Sequence, residues 1–388
     1  MRTPRPAPER QHLAFLVFAL GAFALSSCTS AGASRTVEVP ELELAFDRDA
    51  ADLSEEAEAY ISAAVTIMRR EAIHRREIDF DVVHQTIRHF ADGARTTEDT
   101  HEAISKALPL LRDHHSSFLT FAQLEEYMGL TREDMEAIRE GRPPHADPSQ
   151  IDSLRGALGY ASGRVIDRDG ADPVGYLRVP EFGNLTAEGM AFFADSLQRT
   201  IRQFDRAGVS GWIVDLRDNT GGAAMPMIAG LGPLLDGGNG YYTVDAGGEV
   251  LGRAYYRDGG YYDVPTGETE GEPVMEFGVR YRVSDETAPV AVLTDDRTAS
   301  SAEAVTAAFA GQPNVRIIGQ RTNGLTSTNS FEVLSDGAVL NLTVGHYADR
   351  DGTVYEQGIS PDIEVGTDGV SDGDPDPVLA RALTWIMD

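Results

Sequence analysis

One stretch constrains this chain more than any other: Pro289 to Ala310, PVAVLTDDRTASSAEAVTAAFA. Val290 to Thr294 is a short apolar run of the kind that makes a buried strand, and Asp295, Asp296 and Arg297 interrupt it. From Ser300 onward the composition is Ala-rich and the spacing is that of a helix. The stretch therefore predicts strand, tight turn, helix. A serine at that junction holds its hydroxyl where unpaired backbone N–H groups and the positive end of the helix dipole favour negative charge. Chemistry that generates an oxyanion wants such a place. Ser300 with Glu303 three residues on also spells a capping box, in which the serine need do nothing but cap. Taken by itself, the stretch leaves both readings open.

The chain around it divides into two regions. Between Leu53 and Leu119 three segments carry apolar residues at helical spacing: Ser54 to Ile73, Phe80 to Phe90 and Thr97 to Leu111. A small helical bundle is expected there. It gives way to extended chain at Asp113-His114-His115-Ser116-Ser117-Phe118, the kind of junction where functional side chains are presented. Residues 121–150 are polar and acidic and read as a connection with one helix. After them, strands at Val174 to Val179, Gly211 to Leu216, Val290 to Thr294 and Val315 to Ile318 alternate with helices at Thr186 to Phe204, Ala223 to Leu235, Ser300 onward and Asp376 to Met387. Alternation of this kind predicts an α/β domain. A Gly- and Tyr-rich insertion from Asp236 to Val283 reads as hairpins, and Ser335-Asp336-Gly337 as a hairpin turn.

The N-terminus reads as an address. Arg2, Arg5 and Arg10 precede an apolar run from Leu13 to Ser27, shorter than the roughly 20 residues of a spanning helix, and Leu25-Ser26-Ser27-Cys28 resembles a bacterial lipobox. Cys28 is the only cysteine, which excludes an internal disulfide and a cysteine metal cluster. The expectation is an exported bacterial lipoprotein on the periplasmic face of a membrane or on the cell surface. Its organisation would be a signal peptide over 1–27, a lipidated Cys28 with a tether over 28–52, a helical domain over 53–120, the connection over 121–150 and an α/β core over 151–388. With 62 acidic against 33 basic residues the formal net charge is −29, which argues against nucleic acid as a partner. No His-Glu-x-x-His pattern occurs, and no metal or other cofactor is expected. Lys106 is the only lysine, so a mechanism that needs a lysine base has one candidate.

Five motifs in order, D-H-H-S-S-F, G-Y-L-R-V-P-x-F, D-L-R-D-N-T-G-G, T-A-S-S-A-E and G-I-S-P-D-I, resemble the catalytic core of the tail-specific, or C-terminal processing, serine peptidases (S41-like). The resemblance implies a crotonase-like spiral α/β core with Ser300 as nucleophile. It implies an oxyanion hole from the backbone N–H of Gly221 or Gly222 and of Ser301. Common members use a Ser-Lys dyad with the lysine in G-x-x-T-x-G-K, but here that segment is Gly319-Gln320-Arg321-Thr322-Asn323-Gly324-Leu325, with Leu325 in place of lysine. The chain is more similar to the tricorn-type branch, which uses Ser, His and Glu; the matching positions are Ser300, His115 and Glu356. His114 is the alternative to His115. Only about 55 residues separate Phe118 from Val174, too few for the PDZ module that many relatives carry. The resemblance thus implies a serine endopeptidase acting on peptide or protein substrates. Two other readings compete: a non-catalytic lipoprotein binding peptides or apolar ligands, and a serine esterase, although no G-x-S-x-G elbow occurs.

Overall fold

The computed structural model describes residues 18–19, 51–128, 130–140, 144, 162–168, 170–184, 186–237, 240–276, 281–366 and 375–388. Cys28 and the tether up to residue 50 lie outside the described residues, as does the segment read as a signal peptide except for Phe18–Ala19.

Sixteen strands occur among the described residues: β1 (Phe18–Ala19), β2 (Ser117–Leu119), β3 (Ser162–Arg168), β4 (Ala171–Arg178), β5 (Gly211–Asp215), β6 (Gly222–Ala223), β7 (Gly240–Val244), β8 (Val250–Arg257), β9 (Gly260–Pro265), β10 (Met275–Glu276), β11 (Val290–Thr294), β12 (Val315–Gly319), β13 (Ser327–Val333), β14 (Val339–Ala348), β15 (Val354–Tyr355) and β16 (Ile363–Glu364). One sheet runs in the order β16-β12-β11-β5-β4-β3. Its first five strands are mutually parallel and β3 pairs antiparallel at the edge. Every residue of β5 and β11 is buried, as a central parallel strand covered on both faces requires. The α-helices are α1 (Glu55–Glu71), α2 (Phe80–Phe90), α3 (His101–Ala107), α4 (Phe121–Met128), α5 (Arg132–Arg139), α6 (Ala187–Arg206), α7 (Ala224–Leu231), α8 (Ser301–Phe309) and α9 (Pro377–Met387). Trp212, Val214, Val290, Val292 and Ile317 look toward α6, α7 and α8, while Ile213, Ala291, Leu293 and Ile318 look toward Val378 and Ala382 of α9. The alternation along each strand thus sorts its side chains into two cores.

The second sheet is antiparallel, in the order β10-β9-β8-β7-β14-β13, with β2 and β15 also pairing with β14. The Gly- and Tyr-rich insertion supplies β7 to β10, so the expected hairpins continue the β13–β14 hairpin sideways instead of standing apart. Helix α8 joins the two sheets: Ala304, Val305 and Ala308 share one core with Tyr241 of β7, Tyr347 of β14 and Val292 of β11.

Two expectations change. The N-terminal helices do not close on themselves as a bundle. Ile61, Met68, Ile87, Ile104 and Leu111 form one core with Leu334, Ala338, Leu340 and Leu342 of the β13–β14 hairpin. Three amphipathic helices of 7 to 17 residues have too little shared surface without the sheet face that covers them. Asp336 at the hairpin turn ties the two parts together, accepting from the Tyr60 hydroxyl at 2.7 Å and meeting His101 Nε2 at 2.7 Å. The segment read as a connection holds two helices, not one, and it belongs to the core: Leu124, Leu130, Met135 and Ile138 pack with Phe182 and Leu177. A capping box marks the second helix, with Thr131 Oγ1 accepting from the Asp134 N–H at 3.2 Å and Asp134 accepting from the Thr131 N–H at 2.8 Å.

Candidate active site

The turn after β11 delivers Ser300 in a backbone conformation that is costly for a residue with a Cβ, φ 55° and ψ −115°. Such a conformation costs on the order of 1–3 kcal/mol and persists only where neighbours enforce it. The enforcing contacts are visible. The Thr298 hydroxyl donates to the Leu216 carbonyl at 3.0 Å, the Ala299 N–H to the Asn219 carbonyl at 3.0 Å, and the Ser300 N–H to Glu303 Oε2 at 2.8 Å. The last of these is the glutamate arm of the predicted capping box. The sharp turn places Ser300 at the N-terminus of α8.

There it meets an imidazole from the other end of the chain. Ser300 Oγ lies 3.2 Å from His115 Nε2, and both residues are buried. His115 is held by its backbone and its ring together. Its N–H donates to Asp113 Oδ1 at 3.0 Å and its carbonyl accepts from Asn329 Nδ2 at 3.0 Å. Asp113 also accepts from the Ser116 N–H at 2.6 Å, the Ser116 hydroxyl at 2.8 Å and the Thr343 hydroxyl at 3.0 Å, which pins the turn to β14. The pairing of β2 with β14 carries the segment on from there. Of the two histidines, His115 faces Ser300 and His114 is exposed.

The other ring nitrogen, Nδ1, lies 2.8 Å from the hydroxyl of Ser327, the first residue of β13. Glu356 departs from expectation. Its side chain is exposed and acts electrostatically on His346, while the carboxylate felt by His115 is Asp113 and the neighbour at Nδ1 is a neutral serine. With Ser327 Oγ accepting the Nδ1 proton, Nε2 keeps a lone pair for the Ser300 hydroxyl. Burial pushes the His115 pKa down to about 4, and the nearby Asp113 carboxylate opposes only part of that shift. The imidazole is therefore neutral, and able to accept a proton, from weakly acidic pH upward.

Gly221 and Gly222 have φ values of 118° and 108°, which only glycine adopts without strain. Gly221 packs directly on Ser300, since a Cβ there would lie 2.9 Å from Ser300 Cβ. Its N–H is already engaged, donating to Asn219 Oδ1 at 2.9 Å. Gly222 pairs with Phe182 across a parallel bridge, and its carbonyl accepts from the Ser301 hydroxyl. Ser301 opens α8, where the helix has no internal acceptor for its N–H. Leu325 stands at the position matching the family lysine, and Lys106 is on the surface of α3, 2.7 Å from Glu102. Neither supplies a base to Ser300.

Residues 173–365 match the sequence model of peptidase family S41. The chain belongs to that family. Ser300, Gly221, Gly222, Ser327 and Glu356 fall inside the matched segment, and His115 precedes it. The nisin-resistance protein of Lactococcus lactis subsp. lactis is 34% identical over 215 residues, covering 54% of this chain and 59% of that protein. The carboxy-terminal processing protease CtpA of Bacillus subtilis is 28% identical over 192 residues, covering 49% of this chain and 34% of its own. The chain thus spans between about a third and three fifths of the length of these relatives. In fold it is similar to a lipoprotein from Streptococcus agalactiae, with a TM-score of 0.63 at 22% identity over 86% of this chain and 96% of that one. It is also similar to the photosystem II D1 C-terminal processing protease, with a TM-score of 0.51 at 18% identity over 81% and 94% of the two chains.

Reading the sequence missed Ser327, Asp113, Asn219 and Asn329. One signal existed: Thr326-Ser327-Thr328-Asn329 is a run of polar residues that opens a strand and is wholly buried, and buried polar runs exist to be bonded. Replacing Ser327 with alanine removes one hydrogen bond to Nδ1 and leaves the neutral base in place. The expected result is a fall in kcat/KM of up to about tenfold, the scale of one net hydrogen bond, with KM little changed. Steady-state kinetics on a peptide substrate checks it.

Proposed function

We propose that this S41 family member is a serine endopeptidase that hydrolyses unstructured peptide segments by acyl transfer, with Ser300 as nucleophile and His115 as general base. The observation that carries the reading is the 3.2 Å approach of Ser300 Oγ to a buried, neutral His115 Nε2 at the N-terminus of α8. Ser300 attacks the scissile carbonyl carbon as His115 Nε2 takes the hydroxyl proton. The oxyanion would be met by the N–H groups of Ser301 and Gly222; Gly222 is favoured over Gly221 because the Gly221 N–H already serves Asn219. His115 then hands the proton to the departing amine, and water hydrolyses the acyl-enzyme by the same route in reverse roles. Ser327 holds the ring in the tautomer that this sequence needs.

An added strand is the proposed mode of substrate binding. In support, Phe18–Ala19 of the chain itself lies antiparallel along Gly222–Ala223, beside the candidate oxyanion donors. The core is proposed to be the crotonase-like spiral, and the chain to be held on a membrane through a lipid on Cys28. The test uses the full chain in detergent, treated at pH 8 with a fluorophosphonate probe and digested for mass spectrometry. Label on Ser300 alone, together with cleavage of an unstructured peptide, is expected. A folded protein that takes no label and cuts no peptide would turn the reading toward a binding protein.

A further inference from the structure

Glu303 is a buried acid with no role in the acyl-transfer scheme, and it sits where three parts of the site meet. Oε2 accepts from the Ser300 N–H at 2.8 Å. Oε1 accepts from the Thr322 hydroxyl at 2.5 Å and the Gly324 N–H at 2.9 Å, and the Leu325 N–H bonds to the same carboxylate. Three residues beyond Gly324 the chain reaches Ser327, the partner of His115 Nδ1. Thr322 in turn accepts from the Ile359 N–H at 2.7 Å, which extends the same network to the 356–359 segment. Glu303 is inaccessible to solvent and has no cationic partner among the described residues.

We propose that Glu303 is the positioning residue of this site: its carboxylate fixes both the strained backbone of Ser300 and the loop that brings Ser327 to His115, and protonation of that carboxylate releases the nucleophile. The inference rests on the reading of Ser300 and His115 given above. A carboxylate can accept every one of these donors, whereas a carboxylic acid must turn one oxygen into a donor. Oε1 serves both Thr322 and Gly324. The proton therefore goes to Oε2, where it faces the Ser300 N–H donor to donor. That N–H is then unpaired in a buried place, and the φ 55° conformation loses the bond that enforces it.

Burial pushes the Glu303 pKa up to about 7, against the opposing effect of its Thr322, Gly324, Ser300 and Leu325 hydrogen bonds. The other titratable groups facing it are Tyr347 of β14, whose phenol burial pushes well up, and, behind that, Tyr241 of β7, shifted the same way. His115, reached through Ser300, has its pKa pushed down to about 4. None of these three changes charge between pH 5 and 9. Asp263 of β9, which burial also pushes up to about 7, interacts with Tyr241 and makes no hydrogen bond to Glu303, so the response of the limb to Thr322→Val is what assigns it to Glu303.

The experiment is the rate of fluorophosphonate labelling of Ser300 in the full chain between pH 5 and 9, compared with Glu303→Gln and Thr322→Val. The parent is expected to lose rate as pH falls through about 7. In Glu303→Gln that limb should vanish, leaving a flat and slower rate, down by as much as about 10²-fold at pH 8, the scale of a misplaced reacting group. Thr322→Val removes a donor from the charged carboxylate, so its limb should move to higher pH. That shift is the decisive readout. Thr322 touches Glu303 and not His115, and a purely structural role would lower the rate evenly at every pH. Unchanged limbs in both folded variants would overturn the inference while leaving Ser300 an active nucleophile. Absence of label in the parent at every pH would instead remove the functional reading on which it rests. Should Glu303→Gln fail to fold, as judged by near-UV circular dichroism, the direction of the Thr322→Val shift decides alone.

Discussion

Alanine at Ser300 is expected to abolish fluorophosphonate labelling and to lower peptide hydrolysis by on the order of 10⁴ to 10⁶, and alanine at His115 by a similar factor. The two losses should not add in the double variant, because nucleophile and base act as one unit. The physical reason lies in the site's burial. A serine hydroxyl is a weak nucleophile, and the imidazole nitrogen 3.2 Å away is the base that lies against it. Neither lysine position offers a second base: Lys106 is on the surface of α3 with Glu102, and Leu325 is apolar. The same geometry predicts the fate of Glu356→Gln. An exposed side chain with no bond to His115 should leave kcat within a few-fold of the parent, whereas an orienting carboxylate of the Ser-His-acid kind is worth about 10⁴. Kinetics of the four variants on one peptide, with folding checked by circular dichroism, separates a Ser-His pair supported by Ser327 from a Ser-His-Glu triad.

Alanine at Gly222 should damage the enzyme nearly as much, through the backbone. A Cβ at this position, where φ is 108°, would overlap the carbonyl of Phe182. That carbonyl also accepts the Ala223 N–H at 2.8 Å, so Phe182 cannot retreat without breaking the bridge that places the glycine. Two costs follow. The strained conformation contributes on the order of 1–3 kcal/mol of lost stability. Displacing the proposed oxyanion donor is expected to lower kcat by about 10²–10³. Gly183, only a few residues from the same bridge, is the control: a Cβ there meets nothing within 4 Å, and Gly183→Ala should be close to neutral in both measurements. Thermal unfolding and kcat of the two variants check the pair.

Strand β11 and the helix behind Ser300 were legible because their signals are local. Val290 to Thr294 is both the apolar run and the strand, and Phe80 to Phe90 is both the amphipathic segment and helix α2. Membership of the S41 family was legible in five short motifs in order, and the same motifs singled out Ser300 and His115, whose side chains lie 3.2 Å apart. The edge strand β3 and the second helix of the 121–150 segment were not read, since half-exposed and short elements carry weak periodicity. For Arg132–Arg139 the capping box at Thr131 and Asp134 was the usable sign.

The residues of the site illustrate the division most sharply. By itself the sequence determined that a serine would stand between a buried strand and a helix, and that Leu325 occupies the place of the family lysine with Lys106 as the only lysine in the chain. Those facts depend on neighbours along the chain. Which side chain supports the imidazole was decided by tertiary structure alone. Ser327 is 212 residues from His115 and reaches it through the register of β13 on β14 and of β14 on β2. Glu356, the expected carboxylate, follows β15 and is turned outward. Pairing register is set by the packing of whole sheets, not by any local propensity. A polar residue's partner therefore stays hidden until the strands are laid side by side.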